Sequence, residues 1–330
     1  MDPAPSEIGL RQGCVLSPLL FNIYIDDMKN IFTKDCDPVD LDGTLINHLL
    51  YADDLIVISS TSEGLKRSLK KIEEFCSKWK LTINIDKSKC MIFNGQGRLM
   101  TNETFKIAGQ DLEFAHQFCY LGIDISAGGS FMAAKRILKE KGMKALYPIT
   151  DTVFKFNLKP SKAIFLFNHL IKPIITYGSE ILAPFTKHQL DTLDKDNDMF
   201  SEYVLTSETE KVHTKFCKTT LGLKRNCPTL AVLGDLGEFP VPIYMLAAMV
   251  KFWHRIATLN DNSLIHLAYN EARMLPEDRN DWLNSIKFIL KLIDMEHIYI
   301  NTNQISSNVL YKKPSKNNDN KNVLDSSCTH

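Results

Sequence analysis

The chain has no net charge: of its 330 residues, 39 are Lys or Arg and 39 are Asp or Glu. No partner of one sign can be read from that total. Its eight cysteines, at positions 14, 36, 76, 90, 119, 217, 227 and 328, form no CxxC pair and no even framework. This excludes a disulfide scaffold and fits reduced thiols in an intracellular protein. His213, Cys217, Cys227 and His254 lack the spacing of any standard finger, so no structural zinc is expected. A basic and then apolar leader is missing from Met1 to Leu10. The longest apolar region, Ile164 to Tyr177, is interrupted by Asn168, His169, Lys172 and Pro173. Neither a secretory signal nor a membrane span is therefore expected, and the expected location is cytoplasmic or nuclear. There the sequon Asn102-Glu103-Thr104 has no use. No internal repeat is visible.

The 44% hydrophobic and 24% charged content is that of a globular protein with room for two domains. The charges are unevenly placed. Residues 1–64 hold eleven acidic and three basic side chains, a net of −8. Residues 65–90 have a net of +5, and residues 131–175, with nine basic and two acidic, a net of +7. Such a chain suits divalent cations in one place and phosphates in another, although mixed solvated helix faces produce similar runs.

Periodicity predicts a helix over Leu16–Phe32, with Ser17 as N-cap, Pro18 at the first helical position, and Asp26 and Asp27 on a solvated face. Residues 62–80 read as an amphipathic helix, with Leu65, Leu69, Ile72, Phe75, Cys76 and Trp79 on one stripe and Lys66, Arg67, Lys70 and Lys71 on the other face. Short strands are expected at 81–85, 89–93, 105–108, 111–114 and 118–125. Beyond the small-residue stretch at 126–130 the pattern is helical, over about 130–147, 160–175, 187–221, 242–259 and 281–294. Lys312 to His330 reads as a disordered tail.

Two strings carry chemistry. Tyr51-Ala52-Asp53-Asp54 lies between the apolar runs Leu45–Leu50 and Leu55–Ile58, which predicts a hairpin with two carboxylates at its tip. Adjacent aspartates stay ionised most easily beside a cation, which suggests metal ligands, but an exposed acidic turn has the same composition. Gly9-Leu10-Arg11-Gln12-Gly13-Cys14 precedes the first helix. Glycine permits close backbone approach, a helix start offers N–H groups to an anion, and Gln can bond a base or sugar edge. A turn followed by a cap would look similar.

In this order and separation, Gly9–Asn22 and Tyr51–Asp54 resemble the template-contacting and catalytic motifs of reverse transcriptases, particularly those of LINE-type (non-LTR) retrotransposons. Leu81–Lys89 (LTINIDKSK) is similar to a palm segment of that family, and Phe118-Cys119-Tyr120-Leu121-Gly122 to its primer-grip strand. Ile171–Glu180 resembles its thumb and Leu233–Pro240 a segment after it. The similarity runs from about Gly9 to Ile256.

The resemblance implies an α+β right-hand polymerase palm, a small antiparallel sheet packed on helices, over residues 1–128. A helical thumb over 129–185, a helical region over 186–310 and a tail over 311–330 would follow, with the fingers absent. It implies RNA-directed DNA polymerisation with an RNA template, a DNA primer, dNTPs and two Mg²⁺ ions. Asp53 would be the first metal ligand and Asp54 a supporting one. Lys87 would steady or protonate the triphosphate. Arg11, Gln12, Gly13 and Ser17 would contact template or nucleotide. Tyr51, Ala52, Tyr120, Leu121 and Gly122 would lie by the primer, and the basic helices of 131–175 would track phosphates.

The family places a further aspartate on a strand several dozen residues before the Gly9 motif, and neither Asp2 nor Glu7 substitutes for it. The chain is accordingly expected to be a C-terminal piece of a polymerase, inactive by itself, without endonuclease or zinc knuckle. The alternative is a non-catalytic nucleic-acid-binding remnant or a domesticated element protein.

Overall fold

The computed structural model describes residues 13–93, 103–182, 185–193, 197–259, 263–276 and 281–300. Arg11, Gln12 and the tail from 311 onward lie outside them. The chain divides into two units, residues 1–130 and 131–330, each described by itself.

The first unit opens with helix α1 (Ser17–Ile25), which gives way to a 3₁₀ turn, Asp26–Asn30. This is shorter than the helix expected over Leu16–Phe32. Ser17 is also its first residue rather than its N-cap, which is Leu16 without a side-chain cap bond. Asp26 and Asp27 stay exposed, Asp26 paired with Lys29 at 2.8 Å.

Strands β1 (Val39–Leu41) and β2 (Thr44–Ile46) pair around Asp42-Gly43. Strands β3 (His48–Tyr51) and β4 (Asp54–Val57) pair next. The apolar run Leu45–Leu50 is therefore two strands that part at Asn47, one pairing backward and one forward. Helix α2 (Ser62–Lys78) follows, capped by Thr61 Oγ1 accepting from the Gly64 N–H at 3.0 Å. It ends in a Schellman turn, with Lys80 left-handed at φ 54° and the Leu81 N–H on the Cys76 carbonyl at 2.9 Å.

The remaining strands are short: β5 (Lys89–Cys90), β6 (Lys106–Ile107), β7 (Gln110–Asp111), β8 (Glu113–Phe114), β9 (Gln117–Tyr120) and β10 (Ile123–Ser126). β6 pairs with β7 and β9 with β10, antiparallel, while β5 and β8 run parallel. Among the described residues these are five separate two-stranded pairs rather than one sheet. Residues 81–85 form no strand, although Leu81, Ile83 and Ile85 do alternate inward onto the core. The buried stripe of α2 (Leu69, Ile72, Phe75, Cys76) closes that core with Met28, Phe32, Phe105 and Ile107.

In the second unit, α3 spans Met132–Lys155, well past the expected end at 147. Pro148 removes one intrahelical hydrogen bond at a cost of about 3 kcal/mol. The helix continues because Leu146 and Val153, on either side of it, both bury in the same core. The helix expected over 160–175 is instead α4 (Pro160–Leu166), a π turn (Phe167–Ile171) and α5 (Lys172–Ile175). Pro173 has no N–H for the His169 carbonyl four residues back, so a regular ladder cannot run through this point.

The stretch 187–221 likewise divides into α6 (Lys187–Leu193), α7 (Asn197–Thr206) and α8 (Glu208–Thr220). The last break is made by Ser207, whose hydroxyl caps α8 by accepting from the Glu210 N–H at 3.2 Å. Then come α9 (Thr229–Leu236), α10 (Val241–Ala257), α11 (Leu264–Met274), α12 (Asp281–Leu292) and α13 (Glu296–Ile300). Two cores result. One packs α3, α4, the π turn, α5, α8 and α9 around Phe167, Ile171 and Phe216. The other packs α10, α11 and α12 around Met249, Trp253, Ile286 and Leu290. Among the described residues no single helix is long and apolar enough to cross a membrane.

Candidate active site on the Tyr51–Asp54 hairpin

Strands β3 and β4 hold Tyr51 opposite Asp54, Leu50 opposite Leu55, Leu49 opposite Ile56 and His48 opposite Val57. The ladder extends one step further through the Ile58 N–H on the Asn47 carbonyl at 2.8 Å. Leu55 and Val57 pack on the core, so Asp54, which alternates with them, lies on the opposite face of the hairpin. Tyr51 shares that face as its cross-strand neighbour. Ala52 and Asp53 form the two-residue loop. Only Ala52 has a positive φ, 53°, the sign pattern of a type II′ turn.

The other antiparallel hairpins of this unit turn differently. Asp42-Gly43, Ala108-Gly109 and Leu121-Gly122 each have both loop residues at positive φ, the pattern of type I′ turns with glycine second. The Tyr51–Asp54 hairpin uses a turn that tolerates aspartate at that second position. It is rooted by His48, whose ring stacks on Phe32 with centroids 4.7 Å apart. Burial holds the His48 imidazole below its usual pKa, so it stays neutral.

All four tip residues are exposed. Neither Asp53 nor Asp54 forms an ion pair among the described residues. Open, unpaired carboxylate oxygens suit a hard cation such as magnesium, which takes one or two carboxylates and fills its shell with water and phosphate. Among the described residues no group of three His, Cys, Asp or Glu could close a site by itself.

The hairpin β9–β10 comes close to this tip. The Tyr120 phenol is pushed above its usual pKa, first by burial and then by the charge of Asp54. Tyr120 pairs with Ile123 across the Leu121-Gly122 turn, where φ is 47° and 81°. Leu121, exposed and left-handed, is held there by the turn rather than by its own preference. The Tyr120 phenol thus lies within the electrostatic reach of Asp54.

The structure shows no such link for Lys87. It lies at the surface in a turn that Asn84 organises: the Asn84 side chain accepts from the Lys87 N–H at 3.1 Å, and its carbonyl accepts from the Ser88 hydroxyl at 2.8 Å. Among the described residues no hydrogen bond or ion pair joins the Lys87 ammonium to either aspartate. Gly13, at φ 83°, faces open space before α1.

Ser17 faces a residue that the motif reading passed over. Cys14 is exposed, and its thiol pKa is lowered by the backbone N–H of Leu16, then by the hydroxyl and N–H of Ser17. The helix start expected to offer donors to an anion does so here to Cys14. The signal available in sequence was a cysteine three residues before Ser17.

The basic face of α2 is less free than its sequence suggests. Lys66 pairs with Glu63 and Glu103, Arg67 with Asp37, and Lys71 with Asp35. Much of the local positive charge is spent within this unit.

Comparison with known proteins gives this geometry a context. Residues 3–125 match the family model described as reverse transcriptase (RNA-dependent DNA polymerase), a span that includes the Tyr51–Asp54 hairpin and all but the last residue of the β9–β10 hairpin. That segment belongs to the reverse transcriptase family. The chain is 25% identical over 172 residues to a Pol polyprotein from the type-2 retrotransposable element R2DM of Drosophila melanogaster, covering 50% of this chain and 16% of that protein. It is 30% identical over 129 residues to the corresponding polyprotein from the type-1 element R2 of Nasonia vitripennis, covering 37% and 12%. The RNA-directed DNA polymerase of the mobile element jockey of Drosophila funebris is 29% identical over 133 residues, covering 38% and 14%. The reverse transcriptase domain is thus homologous to RNA-directed DNA polymerases of non-LTR retrotransposons. The chain spans less than a fifth of the length of each of these three relatives.

Proposed function

We propose that the first unit is the palm of an RNA-directed DNA polymerase and that the Tyr51–Asp54 hairpin is its metal-binding edge. The carrying observation is the exposed, unpaired carboxylate pair at a hairpin tip, with the Tyr120 phenol of a second hairpin within reach of the Asp54 charge. Asp53 and Asp54 would hold magnesium, which when bound lowers the pKa of a 3′ hydroxyl and neutralises a leaving pyrophosphate.

Around it, Tyr51 and Tyr120 supply aromatic surface for a primer end, and the tight Ala52 and Gly122 turns leave backbone room there. Lys87, free at the Asn84 turn, supplies a mobile cation to a triphosphate. Gly13 and Ser17, with Arg11 and Gln12, supply the template side. Residues 131–175, with their net charge of +7, supply the phosphate-binding surface of a helical thumb. RNA template, DNA primer and dNTPs are the partners this requires.

Two aspartates do not complete a two-metal site, and among the described residues no third acidic group joins them. This supports a second reading, a nucleic-acid-binding protein that does not catalyse. Two measurements separate the readings. In a Mn²⁺ titration with dATP present, Asp53→Asn should weaken metal binding at least tenfold; equal binding would remove the metal role. In primer extension on RNA with Mg²⁺, this chain alone should add no nucleotides. Extension that Asp53→Asn abolishes would show a complete site and dismiss the non-catalytic reading.

A further inference from the structure

Along α3, α4 and the turn between them, four large aromatic side chains are more than half exposed. Tyr147 is 55% exposed, Phe154 58%, Phe156 65% and Phe165 56%, and neither core of the unit includes them. Tyr147 and Phe154 lie two turns apart on one stripe of α3, with the exposed Asp151 between them. Phe156 follows α3 directly, and Phe165 stands on α4.

Each of three rings already carries a basic or imidazole group. Lys215 Nζ of α8 lies 4.8 Å from the Tyr147 ring centroid and donates to its hydroxyl at 3.4 Å. Lys155 Nζ lies 5.6 Å from the Phe156 centroid. His169 stacks on Phe165 with centroids 4.0 Å apart and planes 30° from parallel. The surroundings are strongly basic: Lys141, Lys144, Lys155, Lys159 and Lys162 form no ion pair among the described residues. Lys139, by contrast, is held by Glu208.

Three kinds of partner can cover exposed rings. A protein interface is depleted of charge, lysine above all, at its apolar centre, whereas here lysines interleave with the rings. A duplex has its bases stacked on each other and presents only phosphates and groove edges. Unpaired nucleotides offer free π faces to aromatic side chains and phosphates to lysines, the combination that binds single strands.

We infer that the surface of α3 and α4 binds single-stranded nucleic acid, with bases stacking on Tyr147, Phe156 and Phe165 and phosphates on the neighbouring lysines. This goes beyond the polymerase reading and holds whether or not Asp53 and Asp54 catalyse.

The test is fluorescence anisotropy of the full chain with unstructured RNA, single-stranded DNA and a blunt RNA duplex of equal length, each over a range of salt. Phe156→Ala and Phe165→Ala should each weaken single-strand binding by about fivefold or more, leaving the slope of log affinity against log salt unchanged. Phe165→Leu should lose as much as Phe165→Ala, since it keeps apolar area but no π face. Lys155→Gln with Lys162→Gln should instead flatten the slope. Circular dichroism melts confirm that each variant folds. Preference for RNA points to template and preference for single-stranded DNA to product or a displaced strand, and either supports the inference. Aromatic variants that bind like the parent, full retention by Phe165→Leu, or losses equal on the duplex would overturn it. The binding assay contains neither dNTP nor Mg²⁺, so a failed polymerase assay leaves this result separate.

Discussion

Tyr120 ends β9 and Asp54 begins β4, sixty-six positions apart, yet the Asp54 carboxylate lies close enough to raise the pKa of the Tyr120 phenol. A negative charge disfavours the phenolate, and burial disfavours it further. Replacing Asp54 by Asn should bring the Tyr120 titration down, though not to the ordinary value, because burial is the larger cause. The measurement is tyrosinate absorbance against pH, with Tyr120→Phe identifying the contribution of this side chain. An unchanged titration in Asp54→Asn would mean that the two hairpins do not meet.

Gly64 sets a second close approach inside the first unit. A Cβ there would lie 2.6 Å from the Cys36 carbonyl oxygen and 2.7 Å from Asp37 Cβ, with Ser59 Oγ nearer still. The backbone at 36–37 cannot swing aside cheaply, so Gly64→Ala should cost about 1–3 kcal/mol. Gly234, inside α9, has nothing within 4 Å of its Cβ position. There Gly→Ala should stabilise by about 0.5–1 kcal/mol through helix propensity. Urea denaturation followed by circular dichroism compares them, and the same sign of change at both sites would contradict the packing argument.

The hairpin at Tyr51–Asp54 was legible because apolar residues flank two carboxylates and leave the chain no other place to turn. The α2 stripe was legible for the same reason, as its period of 3.6 buries one face. What sequence hid was where neighbours override local preference. Pro148 looked like an end, but Leu146 and Val153 bury on both sides of it. Leu45–Leu50 looked like one strand, since nothing local says that its halves pair in opposite directions. Residues 81–85 read as a strand, and Leu81, Ile83 and Ile85 do turn inward onto the core, but among the described residues no strand lies alongside to make a ladder. At the candidate site, sequence supplied the two aspartates and the Tyr120 strand by resemblance, while their proximity had to come from the fold.

Cys14 offers a check on the entry to α1. Backbone and hydroxyl donors from Leu16 and Ser17 favour its thiolate, whereas burial holds the Cys76, Cys90 and Cys217 thiols above their ordinary pKa. A thiol with a lowered pKa ionises at lower pH, so alkylation of Cys14 by iodoacetamide should rise with pH earlier than that of a free cysteine. Mass spectrometry of peptides labelled along a pH series reads this out. In Ser17→Ala the Cys14 profile should move up partway, because the backbone donors remain. A Cys14 profile matching free cysteine in the parent would place the thiol away from the helix start.

Glu210 is fully buried on α8 and is spent three ways. Its carboxylate accepts from the Val241 N–H at 2.7 Å, from the Thr214 hydroxyl at 3.1 Å and from His213 Nδ1 at 3.2 Å. Val241 begins α10, so its N–H is one of the donors a helix start cannot satisfy internally. A side chain from another helix thus caps it, while Phe167 of the π turn stacks on His213 with centroids 4.9 Å apart. Removing the carboxylate leaves a buried amide and a buried imidazole without their acceptor. Glu210→Ala should therefore cost about 3–5 kcal/mol in chemical denaturation at neutral pH. Glu210→Gln keeps an oxygen for Val241 and should cost clearly less. An alanine variant within about 1 kcal/mol of the parent, the net worth of an ordinary hydrogen bond, would mean that α8 and the start of α10 are joined by apolar packing alone.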